Sequence, residues 1–148
     1  MVDASADASA MKGELSIMPK NMTPFLMFEG SAQEAINFYL ASIPDSSITT
    51  MDRYDGSGPE PAGSVKRALV SICGQELIFF DSPIPHPFSF TPSISFFITC
   101  ADEEELDGIA GRLSAGGEYL MPPADYGFSR KFGWLKDKFG ISWQLNVE

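Results

Sequence analysis

Two stretches of this chain carry the same local signals in the same order, and that doubling restricts the fold more than any other feature. In the first stretch, Thr23 to Glu29 is a short apolar run suited to a buried strand, and Gly30 breaks it. Ser31 and Glu34 have the spacing of a capping box. Ala32, Ala35, Ile36, Tyr39 and Leu40 then form one helical face, which Pro44 ends. Ser47 to Tyr54 reads as a strand and Asp55 to Gly63 as a loop. Ala68, Val70 and Ile72 alternate as a strand that turns at Cys73-Gly74 and returns through Glu76 to Asp81. In the second stretch, Ile94 to Cys100 is an apolar strand. Asp102 with Glu105 caps a helix whose core face is Leu106, Ile109, Ala110 and Leu113, and Gly116-Gly117 supplies the left-handed stop. Three strands follow, around Glu118 to Met121, Phe128 to Leu135 and Ile141 to Val147.

Laid over one another, the two helices place Ala32, Ala35, Ile36 and Tyr39 on Leu106, Ile109, Ala110 and Leu113, and the final turns place Gly74 on Gly140. The two offsets differ, so the repeat is one of structure rather than of letters. Both halves read βαβββ. The expected fold is α+β, a single domain over 22–148 built from modules at about 22–81 and 93–148, with a linker at 82–92. Residues 1–21, rich in Ala, Ser and Asp, read as a flexible N-terminal extension, with Met1, Met11 or Met18 as the native start.

Composition narrows the partners. Twenty acidic against ten basic residues leave a formal charge of −10, a field that repels phosphate backbones and anionic lipid. No nucleic acid and no membrane are expected. Cys73 and Cys100 have neither metal-motif spacing nor a disulfide framework, and the expected compartment is the cytoplasm. The acidic run Asp102 to Glu105 is explained by its place at a helix start, where carboxylates complement the helix dipole.

Several pieces together resemble one family. They are Phe28-Glu29-Gly30 ahead of Ala35-Ile36-Asn37-Phe38-Tyr39, the Gly74-Gln75 turn before Phe80-Asp81, Ser95-Phe96-Phe97 leading to Cys100, and the closing Asp137-Lys138-Phe139-Gly140-Ile141-Ser142-Trp143-Gln144. In this order they are similar to the PhnB-like branch of the vicinal oxygen chelate superfamily, which includes glyoxalase I, extradiol dioxygenases and bleomycin-resistance proteins. The resemblance implies a glyoxalase-like fold of cup-like mixed β-sheets, a homodimer, and in enzymatic members a divalent metal held by His and Glu from four strands. Carried over, those four positions fall on Pro24, Phe79, Ser95 and Gln144, a set with no imidazole or carboxylate. A one-residue slip brings in Thr23, Phe25, Ile94 or Phe96 and adds no ligand, although Asp81 lies close to Phe79. Arg67-Ala68 stands where many PhnB-like chains carry His-Ala. A permanently protonated arginine cannot ligate a metal, but it can pair with a ligand's carboxylate or phosphate.

The expected ligand-binding residues are therefore Arg67, Phe79, Asp81, Ser95, Phe97, Trp134 and Gln144, with no metal and no cofactor. Asp81 has an alternative role as a strand-end cap. Tyr126 and Arg130, in the loop from Pro122 to Lys131, are candidates for a lid. The single histidine, His86, reads as an exposed loop residue between prolines; no zinc site and no Ser-His-Asp arrangement is expected around it. The expected function is metal-free binding of a small molecule in an aromatic-lined cavity. The alternative is an enzyme of the same superfamily, either a metal-dependent lyase, isomerase or dioxygenase with an atypical site, or the methyltransferase for which the PhnB-like branch is labelled.

Overall fold

The computed structural model describes residues 18–148; most of the proposed N-terminal extension lies outside them. The elements follow the doubled order. The first module comprises β1 (Phe25–Phe28), α1 (Ala32–Ser42), β2 (Ser46–Arg53), β3 (Val65–Ile72) and β4 (Gln75–Asp81). The second comprises β5 (Ser95–Thr99), α2 (Glu103–Leu113), β6 (Glu118–Ala124), β7 (Lys131–Lys136) and β8 (Ser142–Val147). Each module forms a four-stranded mixed sheet, ordered β1-β4-β3-β2 and β5-β8-β7-β6. The helix returns the chain so that the first strand lies parallel to the last, and the remaining pairs are antiparallel.

The two helices form for the expected reason: each has a stripe of apolar residues at helical spacing. Ala32, Ala35, Ile36 and Tyr39 are buried on α1, and Leu106, Ile109, Ala110 and Leu113 on α2. At the start of α2, Asp102 Oδ1 accepts from Glu105 N at 2.8 Å and Glu105 Oε1 from Ala101 N at 2.9 Å, a complete capping box. The capping box expected at α1 is not formed, since Ser31 makes no side-chain cap. Asp81, at the far end of β4, caps this helix instead. Its Oδ1 accepts from Gly30 N at 2.9 Å and Ala32 N at 3.0 Å, and its Oδ2 from Val65 N at 3.0 Å. A carboxylate brought in by sheet pairing satisfies the helix better than a neutral hydroxyl at the local position.

Two further local features follow from the backbone. Cys73 and Gly74 both take positive φ, +51° and +82°, as the tight hairpin between β3 and β4 requires. β7 begins at Lys131 rather than at Phe128, because Asp125 Oδ1 accepts from Gly127 N and turns the chain before the strand.

The modules meet through the layers that carry their helices. Asp137, in the β7–β8 turn, is buried and accepts from Tyr39 Oη of α1 at 2.6 Å and from Trp143 Nε1 at 2.8 Å. Arg112 Nε donates to Ser42 O across the two helices at 2.9 Å, and the Phe139 ring packs edge-on against Phe28 and Phe38. The opposite face of each sheet is left open. Phe25 on one and Phe97 on the other remain 54% and 56% exposed, so the open faces do not close on each other within the chain.

Candidate functional site

Strand register decides which residues share an open face, because directly paired residues point the same way and neighbours along a strand point oppositely. In the second sheet, Phe97, Gln144, Trp134 and Met121 form one cross-strand row, and Ser95, Ser142, Lys136 and Glu118 the next. The two rows are linked by hydrogen bonds. Trp134 Nε1 donates to Ser142 Oγ at 2.8 Å, Ser142 Oγ and Ser95 Oγ share a proton contact at 2.6 Å, and Gln144 Nε2 donates to Ser95 Oγ at 3.3 Å. These contacts leave Gln144 Oε1 and one amide N–H without a partner among the described residues.

Phe97 and Trp134 supply aromatic surface beside these polar atoms, and Lys136 is paired with Glu118 at 3.5 Å. The cluster is therefore neutral: an amide and two hydroxyls set among aromatic rings. Such a group can orient a planar ligand by paired donor and acceptor contacts while the rings cover its faces.

The loop that carries the lid candidates, for which a solvated loop is the other reading, borders this face. Tyr126 and Phe128 stack at 6.4 Å between centroids, and both lean on Phe132, whose row includes Asn146 and Thr99. Ser129 Oγ donates to Asn146 Oδ1 at 2.5 Å and pins the loop to β8. Arg130 is exposed, with its backbone N–H bonded to Val147 O.

Of the seven residues expected to bind a ligand, four meet here: Ser95, Phe97, Trp134 and Gln144. Ser142, which links them, is absent from the expectation. The signal that identifies it is the β5–β8 register, which sets Ser95 opposite Ser142, and parallel register is a long-range property that local pattern does not carry. Arg67 lies on the open face of the other sheet. It is exposed in a groove of about 580 Å³ that also takes in Met22, Thr23, Leu69 and Ile78.

Phe79 and Asp81 are corrections. Phe79 is fully buried against Phe28 and Tyr39 under α1, and Asp81 is consumed by three backbone N–H groups. Both fall on the helix-covered face because the residue equivalent to Gln144 in the first sheet is Ile78, the partner of Phe25, not Phe79. A register shift of one residue moves a side chain through the sheet.

The single histidine lies in the expected loop but is half-buried rather than exposed. Ser82 Oγ lies 2.9 Å from His86 Nε2, so a serine–histidine contact does exist; it is a local loop contact whose hydroxyl also meets Ile84, and His86 stacks on Phe88.

The superfamily's metal has a direct test in this donor set. The row of open-face positions on β1, β4, β5 and β8 that contains Gln144 and its equivalent is Phe25, Ile78, Phe97 and Gln144, with Ser95 adjacent. Two phenylalanines, an isoleucine and neutral oxygen donors do not fit a divalent ion that takes imidazole and carboxylate. Among the described residues, no three His, Cys, Asp or Glu side chains are placed to hold one. No helix among them is long and apolar enough to cross a membrane.

Comparison with known proteins places the chain among relatives. A family model described as 3-demethylubiquinone-9 3-methyltransferase matches residues 20–146. The PhnB protein of Bacillus cereus is 46% identical, over 87% of this chain and all of that one, with a TM-score of 0.83. Protein YjdN of Escherichia coli is 22% identical over 139 residues, 85% of this chain and 94% of that protein. The fosfomycin resistance protein of Listeria monocytogenes, solved with Mn(II), shares the fold at 13% identity, with a TM-score of 0.61 over 87% of this chain and 93% of that one.

Proposed function

We propose, from the premise that this chain belongs to the 3-demethylubiquinone-9 3-methyltransferase family, the PhnB-like family of the glyoxalase and bleomycin-resistance fold, that it binds a small molecule without a metal. The observation that carries the reading is the Trp134–Ser142–Ser95–Gln144 network beside Phe97. Chelating side chains are replaced there by neutral groups, which orient a ligand through hydrogen bonds and ring contacts.

The methyl-transfer activity named for the family is a second reading. A nucleoside-type methyl donor usually needs a strand followed by a glycine-rich loop that opens a helix. Among the described residues, no strand followed by a glycine-rich loop opens either helix of this chain. That motif is missing, which favours the binding reading over methyl transfer.

We further propose that a second copy of the chain is the partner of the uncovered faces, because each sheet leaves aromatic side chains exposed and the two modules match in form. Light scattering at micromolar concentration checks this, and a monomer there rejects it.

Benzamide, a planar neutral amide, is a suitable probe for the site. It should quench the fluorescence of the half-buried Trp134, and Trp134→Phe should abolish that response while buried Trp143 still emits. Gln144→Leu should weaken binding about tenfold. A metal retained at one per chain after exposure to Mn(II), Zn(II) and Ni(II), or unchanged affinity in Gln144→Leu, would overturn the reading.

A further inference from the structure

Where the two modules adjoin there is a cleft of about 300 Å³. One bank is apolar Ile72 and Leu77 of the first sheet; the other is Phe96, Ile98 and Trp143 of the second. Phe96 and Ile98 alternate along β5 with Ser95 and Phe97, which face the open side, yet Ser95 and Phe97 also line this cleft. β5 is thus a common wall. The polar cluster lies on one side of it and an apolar slot opens beside it.

From this adjacency we infer the class of ligand: an amphiphile with a planar, neutral, amide- or carbonyl-bearing head and an unbranched apolar tail. The inference rests on the binding reading above and extends it. The head lies on Gln144 and Ser95 beside Trp134 and Phe97, and the tail passes β5 into the cleft between the modules. An anionic head is disfavoured on two counts. The cluster holds no unpaired ionic group, and the formal charge of −10 opposes an anion. A wholly polar ligand is disfavoured because it would leave the apolar slot to water.

The cleft has a natural reporter at its rim. Cys73 is exposed and lines it, whereas Cys100 is buried, with burial, and next the nearby Glu105, pushing its thiol up to about 11. N-Ethylmaleimide applied to the folded protein therefore plugs the rim at Cys73 without asking a variant to fold. Gln75→Trp, at an exposed position on the same rim, does so genetically.

The experiment is a titration with N-alkylbenzamides from methyl to octyl, followed by Trp134 fluorescence and by calorimetry. Affinity should rise about fourfold per methylene until the cleft is full, then level off. In the capped protein and in Gln75→Trp, N-methylbenzamide should bind as before while the octyl compound falls to the affinity of the methyl one. Bound octylbenzamide should also slow the alkylation of Cys73. An affinity independent of tail length overturns the tail assignment and leaves the head site standing, as does a length dependence that neither plug reduces. Absence of binding by every member, with no effect of Gln144→Leu, overturns the head site and the tail assignment together.

Discussion

Replacing Asp137 tests whether one buried carboxylate holds the seam between the modules. Four donors converge on it: Tyr39 Oη at 2.6 Å and Trp143 Nε1 at 2.8 Å on Oδ2, and Phe139 N at 2.8 Å and Ile141 N at 3.1 Å on Oδ1. Asp137→Ala leaves four donors in a buried space without an acceptor, at about 1–3 kcal/mol each before relaxation. Water entering the vacated volume recovers part of this, so the expected loss is about 4–6 kcal/mol, comparable to the whole stability of many domains. Asp137→Asn keeps one acceptor for the two backbone N–H groups but turns an amide N–H toward Trp143 Nε1, and should cost about 2–3 kcal/mol. Tyr39→Phe removes one donor from a carboxylate that keeps three others, about 1.5 kcal/mol. Urea unfolding at fixed protein concentration, read as midpoint and slope, gives the three values. The order Tyr39→Phe, Asp137→Asn, Asp137→Ala should hold. An Asp137→Ala loss below about 1 kcal/mol would show that the seam rests on apolar packing alone and refute the reasoning.

Two other outcomes follow from the same geometry. Burial, and after it the Asp137 carboxylate, pushes the Tyr39 phenol well above its ordinary value. The folded state therefore keeps a proton that the unfolded chain releases near pH 10, and stability is full below that pH and falls above it. The wild type should lose about 1.4 kcal/mol per pH unit more than Tyr39→Phe above pH 10, and parallel curves for the two proteins would contradict this. Asp81→Ala should lower stability by about 3 kcal/mol by orphaning three backbone N–H groups, while benzamide affinity stays unchanged. Lost affinity with intact stability would return Asp81 to the ligand site.

Ser95, Phe97, Trp134 and Gln144 share one sheet face. Ser95 and Gln144 come from the positions that the family resemblance carries over, and Trp134 from the abundance of aromatic residues. Phe79 is carried over in the same way and Asp81 follows as its neighbour on the strand, and a one-residue error of register puts both on the opposite face. The face was set when α1 packed against Phe79 and when Asp81 took up the amides of Gly30 and Ala32.

Local chemistry is what the sequence by itself determined. Apolar spacing on α1 and α2, the Asp102–Glu105 cap, the Cys73-Gly74 turn and the doubled order of elements all depend on residues within a few positions of one another, so their energies are written into short segments. Tertiary structure decided everything that joins distant segments. It set Ser142 opposite Ser95, drew Asp137 to Tyr39, placed Arg67 on a different sheet face from Gln144, and opened the cleft beside β5. These depend on strand register and on how two modules settle against each other, and the free energy of that settling is spread over the whole core.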